Sequence, residues 1–354
     1  MNETINLTPR QSYILNIITF HDGISRDGVS KQLETRYKLS KATLIRELNY
    51  LIKNNLILSE GNARSTTYYT ATKNPLLRFI DLNIYFQDEP DDRISAHKSY
   101  NNDLYFYMQN LLLAQEQKTI QEIHRPFSKT TKHLPPDVVR KELERFVIEL
   151  SWKSSKIEGN TYSLLDTETL IRKNIKAPGH SDQEAVMILN HKQAFDYILK
   201  HKMDFRKLSF SHIRQLHNIL IKDLAITLGI RKHAVGITGT VYKPLDNQHQ
   251  LFEAVERTLQ IINIGSDPVE KALIAHAMIP YIQPFTDGNK RTGRMLTNAI
   301  LLAYDYFPLS YRSVEEDEFK KALILFYEQN SLYHVKRLFI EQLVFAYETY
   351  FVGK

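Results

Sequence analysis

In the stretch Gln283, Pro284, Phe285, Thr286, Asp287, Gly288, Asn289, Lys290, Arg291, Thr292, Gly293 and Arg294, residue types and spacing suit the capture of phosphate groups. Gly288 permits a tight turn and a close backbone approach to a ligand. Arg291 and Arg294 stand three residues apart, so a helix projects both from its first turn toward one side, where they can fork onto phosphate oxygens. Asp287 offers a hard oxygen suited to a magnesium ion that also touches the phosphates. Together these residues describe a site for a nucleotide polyphosphate. The competing reading is a glycine turn leading into a solvated basic helix.

Three elements must position such a site. The apolar residues Met295, Leu296, Ala299, Ile300, Leu302 and Ala303 have helical spacing, so the loop opens a helix. Its unpaired N–H groups and positive dipole end add to the attraction for anions. Upstream, Val139, Leu143, Phe146, Val147 and Leu150 mark an amphipathic helix over about 138–158, stopped by Gly159. Between the two, the alternation of β-branched and small residues from Val235 to Pro244 predicts a hairpin in an otherwise helical region.

Residues 283–294 resemble the signature of the Fic family, His-Pro-Phe-x-Asp-Gly-Asn-Gly/Lys-Arg-x-x-Arg, at every defined position except the first. The resemblance implies a mainly α-helical bundle with a small β-hairpin flap and transfer of AMP from ATP to a Ser, Thr or Tyr hydroxyl of a target protein, or of the chain itself. By position it assigns Asp287 to Mg2+, Gly288 and Asn289 to the anion hole, Arg291 to the β-phosphate and Arg294 to the γ-phosphate. Phe285 would anchor the loop in the core, and Lys290, Thr292 and Gly293 complete the residues assigned to ATP. The segment Ser154 to Asn160 resembles the inhibitory motif Ser/Thr-x-x-x-Glu-Gly/Asn, which pairs Glu158 with Arg294 against productive seating of ATP. The hairpin resembles the family's flap, with Ile237, Thr238, Thr240 and Tyr242 holding a target peptide by strand addition. The resemblance covers roughly residues 138–345.

The family's catalytic histidine is replaced by Gln283. A carboxamide donates and accepts hydrogen bonds but has no accessible basic site near neutral pH. Base assistance is typically worth about 100- to 10,000-fold, whereas positioning and electrostatic stabilisation survive its loss. Among the catalytic positions Gln283, Asn289 and Arg291, only the first has changed. His276, two helical turns earlier, is expected to be a packed helix residue rather than a substitute base. The expected activity is therefore slow adenylyl transfer restrained by Glu158. The alternatives are a catalytically inactive, nucleotide-sensing transcriptional regulator, or removal of AMP by water that Glu158 activates. Tyr327 is the one candidate for packing on adenine.

Residues 1–75 carry a different pattern. Thr8 and Pro9 start a helix containing Ile14, Leu15, Ile17 and Ile18, and a short helix follows through Val29 and Leu33. Ser40 caps a third helix with Leu44, Ile45, Leu48, Leu51 and Ile52 inward. Two strand-like runs, residues 56–60 and 66–70, flank a turn. This order resembles a winged helix-turn-helix, with Arg46 and Asn49 as base readers, Lys41, Lys53 and Arg64 on phosphates, and Thr43 on the same face. Residues 1–75 hold ten Lys/Arg against six Asp/Glu, while the remainder hold 36 against 34. The positive surplus lies where DNA would bind.

Composition sets the outer bounds. The 354 residues are 43% hydrophobic and 24% charged, long enough for two or three packed units. No signal-like or membrane-length apolar run occurs, so a cytoplasmic location without membrane contact is expected. The absence of cysteine excludes disulfides and thiol chemistry. The expected domains are 1–75, a helical connector at 76–135 with a helix near 104–115, and a Fic-like unit at 136–354. A second copy of the chain is a further candidate partner.

Overall fold

The computed structural model describes residues 7–21, 23–61 and 65–351. The chain divides into two compact units, Met1–Ile94 and Ser95–Lys354, and is mainly helical.

The first unit runs α1 (Pro9–His21), β1 (Ile24–Ser25), α2 (Arg26–Leu33), α3 (Lys41–Lys53), β2 (Ile57–Glu60), β3 (Thr67–Thr70) and α4 (Leu82–Tyr85). Each helix start has a side-chain cap from a residue suited to it. Thr8 Oγ1 accepts from Gln11 N at 3.2 Å, Ser25 Oγ from Gly28 N at 3.1 Å, and Ser40 Oγ from Thr43 N at 3.2 Å. The strands form an antiparallel sheet of order β1-β3-β2, with Ile57 opposite Thr70 and Glu60 opposite Thr67. Ile14, Leu15, Ile18, Val29, Leu33, Leu44, Leu48, Leu51 and Ile57 fill its core. Periodicity misses Glu47, a buried carboxylate on α3 bonded to Arg10 and to Gln11 Nε2.

The boundary at 94/95 falls inside the expected connector. Leu76 and Leu77 are buried in the first unit, where Asp81 caps α4 and accepts from Leu7 N at 3.3 Å. The helix expected near 104–115 is also displaced. Residues Asn102–Tyr107 form a 3₁₀ turn, Asn110 takes a left-handed φ of 52°, and α5 (Ala114–Ile123) begins afterward. Tertiary anchors override the local pattern here: Tyr105 Oη donates to Ala254 O at 2.8 Å and Leu112 N to Glu270 Oε1 at 3.0 Å.

After α5 the second unit continues with α6 (Phe127–Lys132), α7 (Pro136–Ile157), α8 (Leu164–Lys173), α9 (Asp182–His201), α10 (Phe210–Leu220), α11 (Gln248–Ile264), α12 (Pro268–Ile282), α13 (Asn289–Ala303), α14 (Glu316–Gln329) and α15 (Tyr333–Thr349). The pair α12 and α13 forms its centre, and both helices are buried along almost their whole length. Gly293 makes their close approach feasible, because a Cβ there would meet Pro280 Cδ at 3.1 Å. Around this pair, α7, α9, α10, α11, α14 and α15 supply the remaining walls.

The expected hairpin at 235–244 is not built as paired strands. Its one β-bridge joins Lys243 to Ser99 in parallel. The segment is held by side chains instead of a ladder: Thr240 Oγ1 donates to Glu328 Oε1 at 2.5 Å, and buried Tyr242 stacks on Tyr281 at 4.9 Å while its hydroxyl donates to Tyr281 O. Tyr242 is therefore a core residue and not part of a docking edge.

Candidate nucleotide site

The site begins where α12 ends. Gln283 closes that helix in the left-handed region, φ 52° and ψ 56°, with its N–H donating to Ile279 O at 3.1 Å. Gly288 takes φ 78° at the start of α13, a conformation suited to glycine. The first backbone bond of the new helix runs from Thr292 N to Gly288 O at 2.8 Å, so the N–H groups of Asn289, Lys290 and Arg291 precede it.

Gln283 is bound on both ends of its amide. Nε2 donates to Pro280 O and Oε1 accepts from Asn289 Nδ2, each at 2.7 Å. A carbonyl can only accept, so Pro280 fixes which end is nitrogen. Asn289 is equally occupied: Nδ2 also donates to Phe285 O at 2.8 Å, while Oδ1 accepts from Phe285 N at 2.9 Å. The Asn289 side chain thus braces the loop, leaving its backbone N–H for an anion.

Two buried arginines lie one bond behind this loop. Arg291 Nη2 donates to Asp287 Oδ2 at 3.1 Å. Arg294 donates through Nε to Ser154 Oγ and through Nη2 to Ser154 O, both at 2.9 Å, and through Nη2 to Glu158 Oε1 at 2.8 Å. Lys290 Nζ reaches Glu158 Oε2 at 3.4 Å. The Nη1 atoms of Arg291 and Arg294 are buried without a hydrogen-bond partner. Orphaned guanidinium donors carry a desolvation cost that an incoming anion removes, so their environment fits phosphate binding.

Glu158 caps the C-terminus of α7, where Gly159 reverses the chain with φ 97°. Burial works against its charge, but Arg294 and Lys290 outweigh it and hold the carboxyl down at about 2. The stability it contributes is present above the ordinary value of 4.5 and is lost as pH falls toward 2. Across pH 5–8 it remains a charged partner for Arg294.

An open cleft of about 450 Å³ lies in front of these groups. Gln283, Asp287, Gly288, Asn289 and Lys290 line one side, with Glu158, Ile237, Thr238 and Tyr327 elsewhere on the wall. Tyr327 is buried, its hydroxyl lacks a partner, and burial raises its pKa. Asp287 retains 66% side-chain exposure, and no group of three metal-binding side chains occurs among the described residues. One exposed carboxylate fits Mg2+ carried in with a triphosphate better than a cage built from protein alone. Arg291 and Arg294 lie behind the lining rather than in it, and Phe285, Thr292 and Gly293 do not line the cleft either. Phe285 is a core anchor, Thr292 is buried in α13, and Gly293 serves helix packing. Thr240, spent on Glu328, is also outside it.

Several supporting residues carry no motif signal. His217 on α10 stacks on Phe285 at 3.7 Å and donates through Nε2 to Asp287 O at 3.0 Å. Buried Arg231 grips three carbonyls: Nε donates to Gln283 O and Nη1 to His233 O, both at 2.6 Å, and Nη2 to Leu245 O. Its own N–H donates to Pro284 O at 3.0 Å, joining the segment after α10 to the loop. His276 is, as expected, a packed helix residue stacked on Tyr311.

Burial pushes the pKa of His191 and His276 down to about 3 and that of His217 to about 4, from an ordinary 6.5. Since the folded values lie below the unfolded one, stability from these neutral imidazoles is full above pH 6.5 and declines as pH falls toward 3–4. Denaturant midpoints measured from pH 7.5 to 4.5 are expected to fall steadily below pH 6.5. A flat profile would show that these rings are not held neutral.

Comparison with known proteins agrees with this geometry. Residues 207–301 match the Fic/DOC family profile. The matched segment, about a quarter of the chain, carries α10 to α13 and the Gln283–Arg294 loop. The chain is 29% identical over 161 residues to protein adenylyltransferase Fic of Drosophila erecta, covering 45% of this chain and 32% of that protein. With fic-1 of Caenorhabditis briggsae it shares 25% over 199 residues, covering 54% and 38%. The chain thus spans about a third of the length of these curated relatives. In structure, a Fic family protein from Desulfovibrio desulfuricans G20 superposes with TM-score 0.55 at 21% identity, over 67% of this chain and 74% of that one. A Caenorhabditis elegans Fic-1 structure gives 0.54 at 20%, over 66% and 71%. These likenesses show the Fic fold. No helix among the described residues is long and apolar enough to cross a membrane.

Proposed function

We propose that the Fic unit binds ATP with magnesium and transfers AMP to a protein hydroxyl, slowly, under restraint by Glu158. The observation that carries this reading is the state of Arg294, a buried cation whose bonded partners are Ser154 and Glu158 and whose Nη1 is unpaired. A phosphate would take over the electrostatic role of the carboxylate. The relatives' names, protein adenylyltransferase, support the reaction class. Asp287 would hold the metal, the N–H groups from Asn289 to Arg291 would face developing negative charge, and Ile237 and Thr238, which line the cleft, would meet a target. In the reaction the hydroxyl oxygen bonds to the α-phosphorus, pyrophosphate departs and the hydroxyl proton must leave. Gln283 cannot take that proton, because its carboxamide is not basic. The test is α-labelled ATP incubated with wild type and Glu158→Gly. Label covalently retained by the Glu158→Gly chain supports slow transfer. Binding without label supports the second reading, a nucleotide sensor, which the doubly tethered Gln283 amide favours.

For the first unit we propose a winged helix that binds DNA. Its element order and three-stranded sheet match that architecture, and α3 presents Lys41, Arg46, Asn49 and Lys53 in exposed positions with Thr43 half-buried at its capped start. Arg64 lies outside the described residues. Binding to random duplex DNA should weaken with salt, and Lys53→Ala should lessen the logarithmic slope by about one. No binding at low salt would turn the assignment toward protein docking.

A further inference from the structure

Glu158 is only one of the groups holding Arg294: the Ser154 carbonyl also takes Nη2, and the Ser154 hydroxyl, which takes Nε, traces to a residue on a different helix. His191, fully buried on α9, contacts Met187 O through Nδ1 at 2.8 Å, Ser155 Oγ through Nδ1 at 3.3 Å, and Ser154 Oγ through Nε2 at 2.8 Å. The Met187 carbonyl can only accept, so Nδ1 carries the proton and Nε2 of the neutral ring is the acceptor. Ser154 must then donate its hydroxyl proton to His191. Its lone pairs are left for Arg294 Nε, at 2.9 Å. The result is a hydrogen-bond chain of fixed direction linking α9, α7 and α13, with His191, Ser154 and Arg294 all buried.

We propose that His191 is a positioning residue that aims Arg294 at the terminal phosphate by fixing Ser154 as an acceptor, separately from the block that Glu158 imposes. The two contacts meet different nitrogens: Ser154 Oγ takes Nε, whereas Glu158 takes Nη2, and Nη1 stays open. Removing Glu158 therefore frees the outer end of the guanidinium while the Ser154 contact keeps it oriented. Removing the His191 acceptor lets the Ser154 hydroxyl rotate and its lone pairs leave Arg294 Nε, so the arginine keeps only the Ser154 carbonyl on Nη2 and loses the contact that aims it. The inference rests on the nucleotide reading above and deepens it, assigning selectivity for a triphosphate over a diphosphate to a residue outside the signature.

The test uses the full chain with Glu158→Gly as parent, and titrates ATP and ADP with magnesium. Adding His191→Phe, which keeps ring volume and removes the acceptor, should weaken ATP by about tenfold, the scale of one hydrogen bond to a charged group, and leave ADP nearly unchanged. His191→Gln, able to accept from Ser154 and donate to Met187 O, should recover most of the loss. Ser154→Ala should give the same selective loss and add little to His191→Phe, also serving if the latter does not fold. Equal weakening of ATP and ADP, no change in either, or additive losses would each overturn the role of His191. A parent that binds neither nucleotide would overturn the nucleotide reading itself.

Discussion

Installing histidine at position 283 in a Glu158→Gly chain should raise AMP transfer by about 100- to 10,000-fold over Glu158→Gly alone, the usual worth of general-base assistance. The other residues of the proposed site are available to it. Gly288 and the first N–H groups of α13 would face the anion, exposed Asp287 would hold the metal, and Arg291 and Arg294 each keep a buried Nη1 without a partner. Gln283 gives up its amide bonds to Pro280 O and Asn289, while Asn289 keeps both of its bonds to Phe285. A single-turnover assay with α-labelled ATP separates chemistry from nucleotide binding. Unchanged rates despite saturating ATP would show that the loop, and not the missing base, limits the reaction.

The second large effect concerns Glu158. Replacing it with glycine should tighten ATP by about 10- to 100-fold, the scale of regaining a hydrogen bond from a charged group that was committed elsewhere. Without ligand, the same change should lower thermal stability, because Arg294 then keeps only Ser154 as a bonded partner in a buried setting. Saturating ATP should restore much of that loss through binding linkage. The pairing stays charged across pH 5–8, with Glu158 held at about 2, so the gain should not depend on pH in that range. A gain that appears only below pH 5 would contradict the ion-pair account.

Much of this site is legible in the sequence because it is encoded locally. Gly288 announces the left-handed turn, the periodicity after it announces α13, and the apolar positions from Val139 to Leu150 place Glu158 at the end of α7. The partners that hold those pieces in register are not local. His191, His217 and Arg231 act only because α9, α10 and the segment after α10 arrive beside α7 and the loop, and one buried histidine looks like another in a string of letters. Arg231 stands just before the segment read as a flap, and its grip on three carbonyls depends on where Gln283, His233 and Leu245 fall in space. Alternation suggested strands at 235–244, but burying Tyr242 beside Tyr281 set the path of the chain instead. The connector misled for a related reason: Leu104, Tyr105, Met108, Leu111 and Leu112 are all buried, and a tight turn followed by an irregular segment achieves this without the expected helix.

The most direct test of the central claim is equilibrium titration of magnesium-ATP into wild type, Glu158→Gly, Arg294→Ala and the double variant. The account predicts that Glu158→Gly binds at least about tenfold tighter than wild type and that Arg294→Ala abolishes that gain, since the freed arginine is its source. Equal affinities for wild type and Glu158→Gly, or a gain that persists without Arg294, would contradict a triphosphate site restrained by the Glu158–Arg294 pair.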